Sequence, residues 1–250
     1  MDKPLIQELQ INDANETTPI MRDIYRRLRT NIEFTGMENT VICVTSCEEN
    51  DGKSIISYNL AKSFANSDKR TLLIDADMRK SVFYQKLGYK KNIPGLSHFL
   101  SGKEDILNVI YKTSYRNLSI LPTGVFPKNT TELLGKERFA ALIEAVKDIF
   151  DYVIIDTPPL GVVIDAAVVA KACDGSILVV NSGKISRKEA RTVKEQLIQA
   201  NENFLGVVLN RAEAPKHSYG SKRYGYGYGY GYGYGYGAYG YGEEVKKEKK

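Results

Sequence analysis

The chain contains no stretch approaching the roughly 18 consecutive apolar residues that span a bilayer, which excludes an integral membrane protein. Met1-Asp2-Lys3-Pro4 lacks the basic-then-apolar pattern of a signal peptide, so a cytosolic protein is expected. Cysteine is scarce: Cys43, Cys47 and Cys173 are odd in number and match no zinc or redox spacing, which predicts reduced thiols. Only His98 and His217 could offer imidazole, and they do not form a metal motif. Excess charge is small as well. The net +5 resides mostly past residue 215, where seven basic residues (Lys216, Lys222, Arg223, Lys246, Lys247, Lys249, Lys250) face three acids (Glu243, Glu244, Glu248) and leave +4. The body is therefore near neutral, which argues against a basic nucleic-acid-binding body.

What is present reads as a globular protein. The 250 residues are 42% hydrophobic and 26% charged, ordinary for a soluble domain. The length suits one large domain and something extra. Apolar, β-branched runs recur at 41–45, 71–74, 118–121, 152–155, 176–180 and 205–209. Such runs suit strands buried on both faces. Helical stretches at 54–66 and 187–200 alternate with them. This pattern implies a parallel sheet flanked by helices.

The segment 17–35 predicts a helix, with Thr18 as cap and Pro19 at the first helical position. Ile20, Ile24, Leu28 and Ile32 make an apolar stripe, while Asp23, Arg26 and Arg29 lie elsewhere and by themselves read as a solvated face. The end of the chain differs in kind. Ten tyrosines fall between Tyr219 and Tyr241, with glycine at almost every second position from Tyr224. Backbone entropy and the lack of interleaved aliphatic residues predict a disordered, accessible tail over 216–250. Alone, it could equally be a sticky linker or an aromatic platform for single-stranded nucleic acid.

The strongest chemical signal is Val41–Ser46 running into Cys47-Glu48-Glu49-Asn50-Asp51-Gly52-Lys53-Ser54. A buried strand, a polar loop and Gly-Lys-Ser opening a helix form a phosphate-binding loop in its proper context. Glu49, Asn50, Asp51, Gly52, Lys53, Ser54 and Ile55 are the expected ATP-binding segment. Amides of the loop and helix start point at an anion. Lys53 can reach the β/γ-phosphates and the Ser54 hydroxyl can bind Mg²⁺. Cys47 stands where the usual first glycine would be, and Asn50 tolerates a positive φ. A reactive thiol at Cys47 and a tolerated small residue are both compatible with the sequence. Asp156 closes a second buried run, and Asp75 and Asp77 close a third. Lone aspartates at strand ends are usually caps. Three at the edge where the phosphate loop emerges would repel one another unless a cation lay among them.

These residues resemble the bacterial tyrosine kinases of capsule and exopolysaccharide synthesis. The resemblance rests on the loop, Asp75-x-Asp77-x-Arg79 (the extra Walker A′ motif of that family) and Asp156-x-x-Pro159. It extends to Asp23-x-x-Arg26-x-x-Arg29, Gly95-Leu96-Ser97, Thr131-Glu132-Leu133-Leu134 and the tyrosine-rich tail. The similarity is greatest to the kinase subunits of Gram-positive bacteria that lack their own membrane spans. It implies a P-loop NTPase-like α/β domain over 1–215, ATP and Mg²⁺ as cofactors, and tyrosine phosphorylation in trans. Lys53, Asp77 and Arg79 are implied to be catalytic, with Asp77 accepting the tyrosine proton. Ser54, Asp75 and Asp156 are the implied metal site, and Asn210 an adenine contact. Asp23, Arg26 and Arg29 are the implied oligomer interface, with Asp for the family's Glu. Glu49-Asn50 replaces the usual Pro-Gly. Tyr224, Tyr226, Tyr228, Tyr230, Tyr232, Tyr234, Tyr236, Tyr239 and Tyr241 are the implied phosphorylation sites. The implied partners are a transmembrane adaptor of the polysaccharide co-polymerase type at the inner face of the membrane, further copies of the chain in a ring, and a tyrosine phosphatase. No nucleic acid is expected. The alternative is a partition or division-site ATPase switch, which would share Lys53 and Asp156 but not need Asp77-x-Arg79 or a tyrosine tail.

Overall fold

The computed structural model describes residues 7–11, 18–89 and 93–212, apart from the side chain of Tyr84. In chain order the elements are β1 (Gln7–Leu9), α1 (Pro19–Glu33), β2 (Val41–Ser46), α2 (Lys53–Ala65), β3 (Thr71–Asp75) and α3 (Phe83–Lys86). Next come α4 (Leu96–Leu100), β4 (Tyr111–Thr113), β5 (Leu118–Leu121), α5 (Thr130–Leu134), α6 (Glu137–Lys147) and β6 (Tyr152–Asp156). The last are α7 (Asp165–Ala170), β7 (Gly175–Asn181), α8 (Arg187–Ala200) and β8 (Phe204–Asn210). The strands form one sheet in the order β1-β4-β5-β3-β6-β2-β7-β8. Only the β4–β5 pairing is antiparallel among the described strands.

Successive side chains of a strand point to opposite faces, and the central strands here are apolar on both. Val41, Cys43, Leu72, Ile74, Val153 and Ile155 belong to one core, with residues of α5 to α8. Ile42, Val44, Leu73, Ile154, Ile177 and Val179 belong to a second core, with residues of α1 and α2. Phe64 stacks on Tyr152 there at 3.9 Å between ring centres. All six expected strands form, within two residues of their predicted ends. β1 and β4, three residues each, give no usable periodicity and were not anticipated.

α1 starts as predicted. The Met21 amide donates to the Thr18 hydroxyl at 3.3 Å and Pro19 opens the helix. Its apolar stripe is only half used. Ile32 is buried, whereas Ile20 and Ile24 are exposed, because α1 packs on α2 through Tyr25 and its C-terminal half alone. The tail tyrosines, Tyr224 to Tyr241, lie outside the described residues.

Candidate functional site: a phosphate loop facing three carboxylates

The sheet sets the site before any side chain is considered. β2, β3 and β6 lie side by side and parallel, so their C-terminal ends share an edge. Asp156 is in register with Asp75 on one side and Val44 on the other. The chain leaves β2 through 47–52, turning at Asn50 (φ 65°) and Gly52 (φ 100°). Asn50 thus takes the positive φ expected of it. The φ of Gly52 is one that L side chains rarely adopt, and a Cβ there would lie 2.0 Å from Asn210 Nδ2 and displace that side chain. Asn210 donates to the Asp51 carbonyl at 2.7 Å and braces the loop from β8. The Asp51 side chain turns inward and accepts the Glu48 amide at 2.8 Å, so it shapes the loop rather than facing a ligand. Ile55 is half-exposed on the first turn of α2.

Lys53 is the hub. Its Nζ donates to Asp77 Oδ2 at 2.9 Å and to Ser54 Oγ at 3.2 Å, and lies 3.6 Å from Asp156 Oδ2. Burial alone would lower its pKa, but Asp156, Asp77 and Asp75 together raise it above the usual lysine value. Asp156 accepts the Ser54 hydroxyl at 2.7 Å and the Ser57 hydroxyl at 2.9 Å. Asp75 accepts the Ser81 hydroxyl and, at 3.3 Å, the Asp77 amide. Burial and then neighbouring negative charge hold the Asp75 carboxyl well above the usual range. Burial also raises Asp156, less completely because Lys53 opposes it. Asp77 Oδ1 accepts the Lys80 amide at 3.0 Å, fixing the turn after β3.

Arg79 follows another path. Its Nε and Nη2 donate to the two oxygens of Asp165 at 2.7 and 3.0 Å, and Nη2 also reaches Thr131 Oγ1 at 3.0 Å. Ser57, Ser81, Thr131 and Asp165 are site residues that sequence reasoning did not single out as such. Ser57 was legible in principle, since it lies one turn beyond Lys53 on α2. Asp165 had no local signal, because its partners come from distant segments. At the mouth, Lys80 pairs with Glu49 at 2.5 Å and Lys184 with Glu48 at 2.7 Å. A pocket opens between the phosphate loop, the loop after β3 and the 158–163 loop, lined by Lys53, Ser54, Asp77, Arg79, Pro159 and Val162.

Three further predictions meet the structure here. Cys47 is buried, and burial followed by Asp51, Glu189 and Glu48 pushes its thiol up to about 11, which favours the tolerated small residue over a reactive thiol. Asp23 and Arg26 are exposed and 3.4 Å apart, available for contact. Arg29 instead donates inward to the Ser63 carbonyl at 2.9 Å and ties α1 to α2. Gly95-Leu96-Ser97 docks α4 on the end of β5: the Leu96 amide donates to the Pro122 carbonyl at 2.7 Å. A Cβ at Gly95 would sit 2.3 Å from that oxygen.

Whether this site suits Mg²⁺ is decided by its donors. Ser54, Asp156 and Asp75 offer only oxygen, at the start of a helix beneath a phosphate loop, which suits a hard cation that retains water and phosphate ligands. Among the described residues, no group of three or more His, Cys, Asp or Glu could hold a metal by itself.

Comparison with known proteins covers most of the chain. Residues 39–204 match the family described as an AAA domain. The tyrosine-protein kinase CpsD of Streptococcus agalactiae serotype III is 42% identical over 215 residues, covering 86% of this chain and 91% of its own. Among solved structures, the chimerical protein CapA2B2 has a TM-score of 0.76 at 31% identity, over 84% of this chain and 95% of its own. The kinase domain of Escherichia coli tyrosine kinase ETK has a TM-score of 0.71 at 35% identity, over 83% and 80%. The septum site-determining protein MinD of Pyrococcus horikoshii, complexed with Mg-ADP, has a TM-score of 0.60 at 24% identity, over 70% of this chain and 72% of its own. That last likeness carries the fold alone.

Proposed function

The chain belongs to the bacterial tyrosine kinases of capsule and exopolysaccharide synthesis, and from that premise we propose how its residues divide the work of moving a phosphoryl group from ATP to tyrosine. The observation that carries the proposal is the convergence of Asp77 and Asp156 on Lys53 Nζ, which joins three separate motifs in one cluster.

Amides of the 47–54 loop and Lys53 hold the phosphates, with Asn210 keeping the loop in shape. Ser54, Asp75 and Asp156 would hold Mg²⁺, which would supply charge neutralisation to the phosphates. The tyrosine oxygen attacks the γ-phosphorus, the bond to ADP breaks, and the phenol proton passes to Asp77. A phenol has a pKa of ~10, so a positioned carboxylate need only accept the proton as the new bond forms. Lys53 holds Asp77 in place for that role and shields its charge from the nucleotide.

Residues 1–215 act as the kinase domain and 216–250 as its substrate tail, with Tyr224 to Tyr241 the acceptors. The Tyr-Gly composition predicts a chain of which twenty residues would span about 25 Å, enough to visit a neighbouring subunit. Phosphorylation therefore runs in trans within an oligomer that uses Asp23 and Arg26. Each phosphate adds about −1.5 to −2 charge, so a few cancel the tail's basic excess and favour disassembly. A transmembrane adaptor recruits and activates the kinase at the inner face of the membrane, and a phosphatase resets it. Family membership supports these last assignments.

ATP labelling of wild type, Lys53→Met and a chain ending at Lys216 tests the proposal. Strong phosphotyrosine is expected only in wild type. Release of phosphate to water with unlabelled tyrosine would instead favour the ATPase switch.

A further inference from the structure

Asp165 has no role in the mechanism above, yet it is among the most completely engaged carboxylates in the described structure. It opens α7 and is fully buried. An aspartate at the start of a helix is ordinary when it binds amides of its own helix. Asp165 does something else. It accepts Arg79 Nε at 2.7 Å, Arg79 Nη2 at 3.0 Å, Thr130 Oγ1 at 3.1 Å and also Thr131 Oγ1. These donors come from the loop after β3 and the start of α5. The carboxylate thus joins three segments that the sheet alone does not hold together.

The geometry constrains Arg79 on one side only. Two parallel N–H···O bonds fix the plane of a guanidinium, which a lysine could not reproduce. No hydrogen bond engages Nη1 among the described residues, and Arg79 lines the nucleotide pocket with its side chain 42% exposed. Asp77 lies two residues earlier in the same loop, outside any strand or helix; Lys53 and the Lys80 amide anchor its carboxylate, and its own amide donates to Asp75 Oδ1 at 3.3 Å. Fixing Arg79 therefore fixes the loop carrying the proton acceptor, at the end away from Lys53.

We propose that Asp165 is a positioning residue for phosphoryl transfer, holding Arg79 and through it the Asp77 loop in the reactive geometry. The inference rests on the kinase reading and adds to it a fourth segment, α7, that had no part in the chemistry.

Steady-state phosphotyrosine formation by the full-length chain tests it, using wild type, Asp165→Asn, Arg79→Lys and the double variant, with thermal melting of each. Loss of the pair should lower kcat about 10- to 100-fold, the scale of a small misplacement at a reacting centre. KM for ATP should change less than about threefold, because nucleotide binding rests on the phosphate loop. The double variant should be no more than about twofold below the weaker single variant, since both substitutions break one interaction. Near-wild-type kcat for folded Asp165→Asn, or multiplicative losses, would overturn the proposal while wild type still labels tyrosine. A wild type that labels no tyrosine would overturn the kinase reading and this inference together. If Asp165→Asn fails to fold, the wild-type Arg79 Nε–H resonance reads the pair directly. A slowly exchanging signal at neutral pH supports it, and a solvent-averaged one contradicts it.

Discussion

Two groups of carboxylates in this fold face opposite electrostatic situations. At the C-terminal edge of the sheet, Asp75 and Asp156 are buried side by side and raised above the usual range by burial, with neighbouring negative charge adding to it. Asp174, just before β7, is also partly buried, yet it is lowered. Lys147 at 2.6 Å, the Val41 amide at 2.8 Å and the Thr40 hydroxyl at 2.9 Å all donate to it. One edge gathers like charge and is incompletely compensated, which makes it a place for a cation and a triphosphate. The other satisfies its charge fully and serves as a structural pin. The same residue type thus marks function or stability according to whether like or opposite charge dominates around it.

The sharpest way to break this contrast is substitution on each edge. Asp75→Asn should cut phosphotyrosine formation about 100-fold or more. It should also raise stability to chemical denaturation by about 1 kcal/mol, as is common when a strained functional site is relaxed. Asp174→Asn should do the reverse, costing about 2–4 kcal/mol by leaving Lys147 and buried amides poorly matched. Its kcat per folded molecule should stay within about twofold of wild type. If both variants lost stability alike, the two edges would not differ as described.

Acid titration sharpens the comparison further. A raised carboxylate costs stability above its folded pKa, and that cost disappears as the pH falls through the folded value toward the ordinary 3.8. A lowered carboxylate stabilises above 3.8 and loses that contribution as the pH falls through its folded value. Stability should therefore hold or rise on mild acidification and then fall below about pH 4. Asp75→Asn should flatten the first phase and Asp174→Asn the second, read by denaturant midpoints across pH.

The smallest effect is expected at the mouth. Glu49 places a negative charge on the phosphate loop, offset by an exposed pair with Lys80. Glu49→Gln should tighten ATP binding about two- to fivefold at physiological salt, since an exposed charge contributes about 1 kcal/mol at most. Calorimetric titration measures it, and weaker binding would mean that Glu49 helps the loop.

How much of this was legible in the sequence follows from the range of each interaction. Strands buried on both faces, the Thr18-Pro19 start of α1 and the turn residues Asn50 and Gly52 are set by neighbours a few positions away, and all were readable. The meeting of Lys53 with Asp77 and Asp156 was readable because three strand ends had to share one edge. β4 was not, since three residues beside an antiparallel partner carry no pattern. Nor was the inward turn of Arg29, which depends on a carbonyl 34 residues away. Asp165 was hidden for the same reason: its four hydrogen bonds come from residues 34 to 86 positions distant.

The most direct measurement of the central claim is phosphotyrosine formation by Asp77→Asn with its melting temperature and ATP affinity measured alongside. The proton acceptor beside Lys53 predicts a folded chain that binds ATP and labels tyrosine at least about 100-fold more slowly than wild type. Labelling at the wild-type rate by a folded Asp77→Asn chain would contradict it.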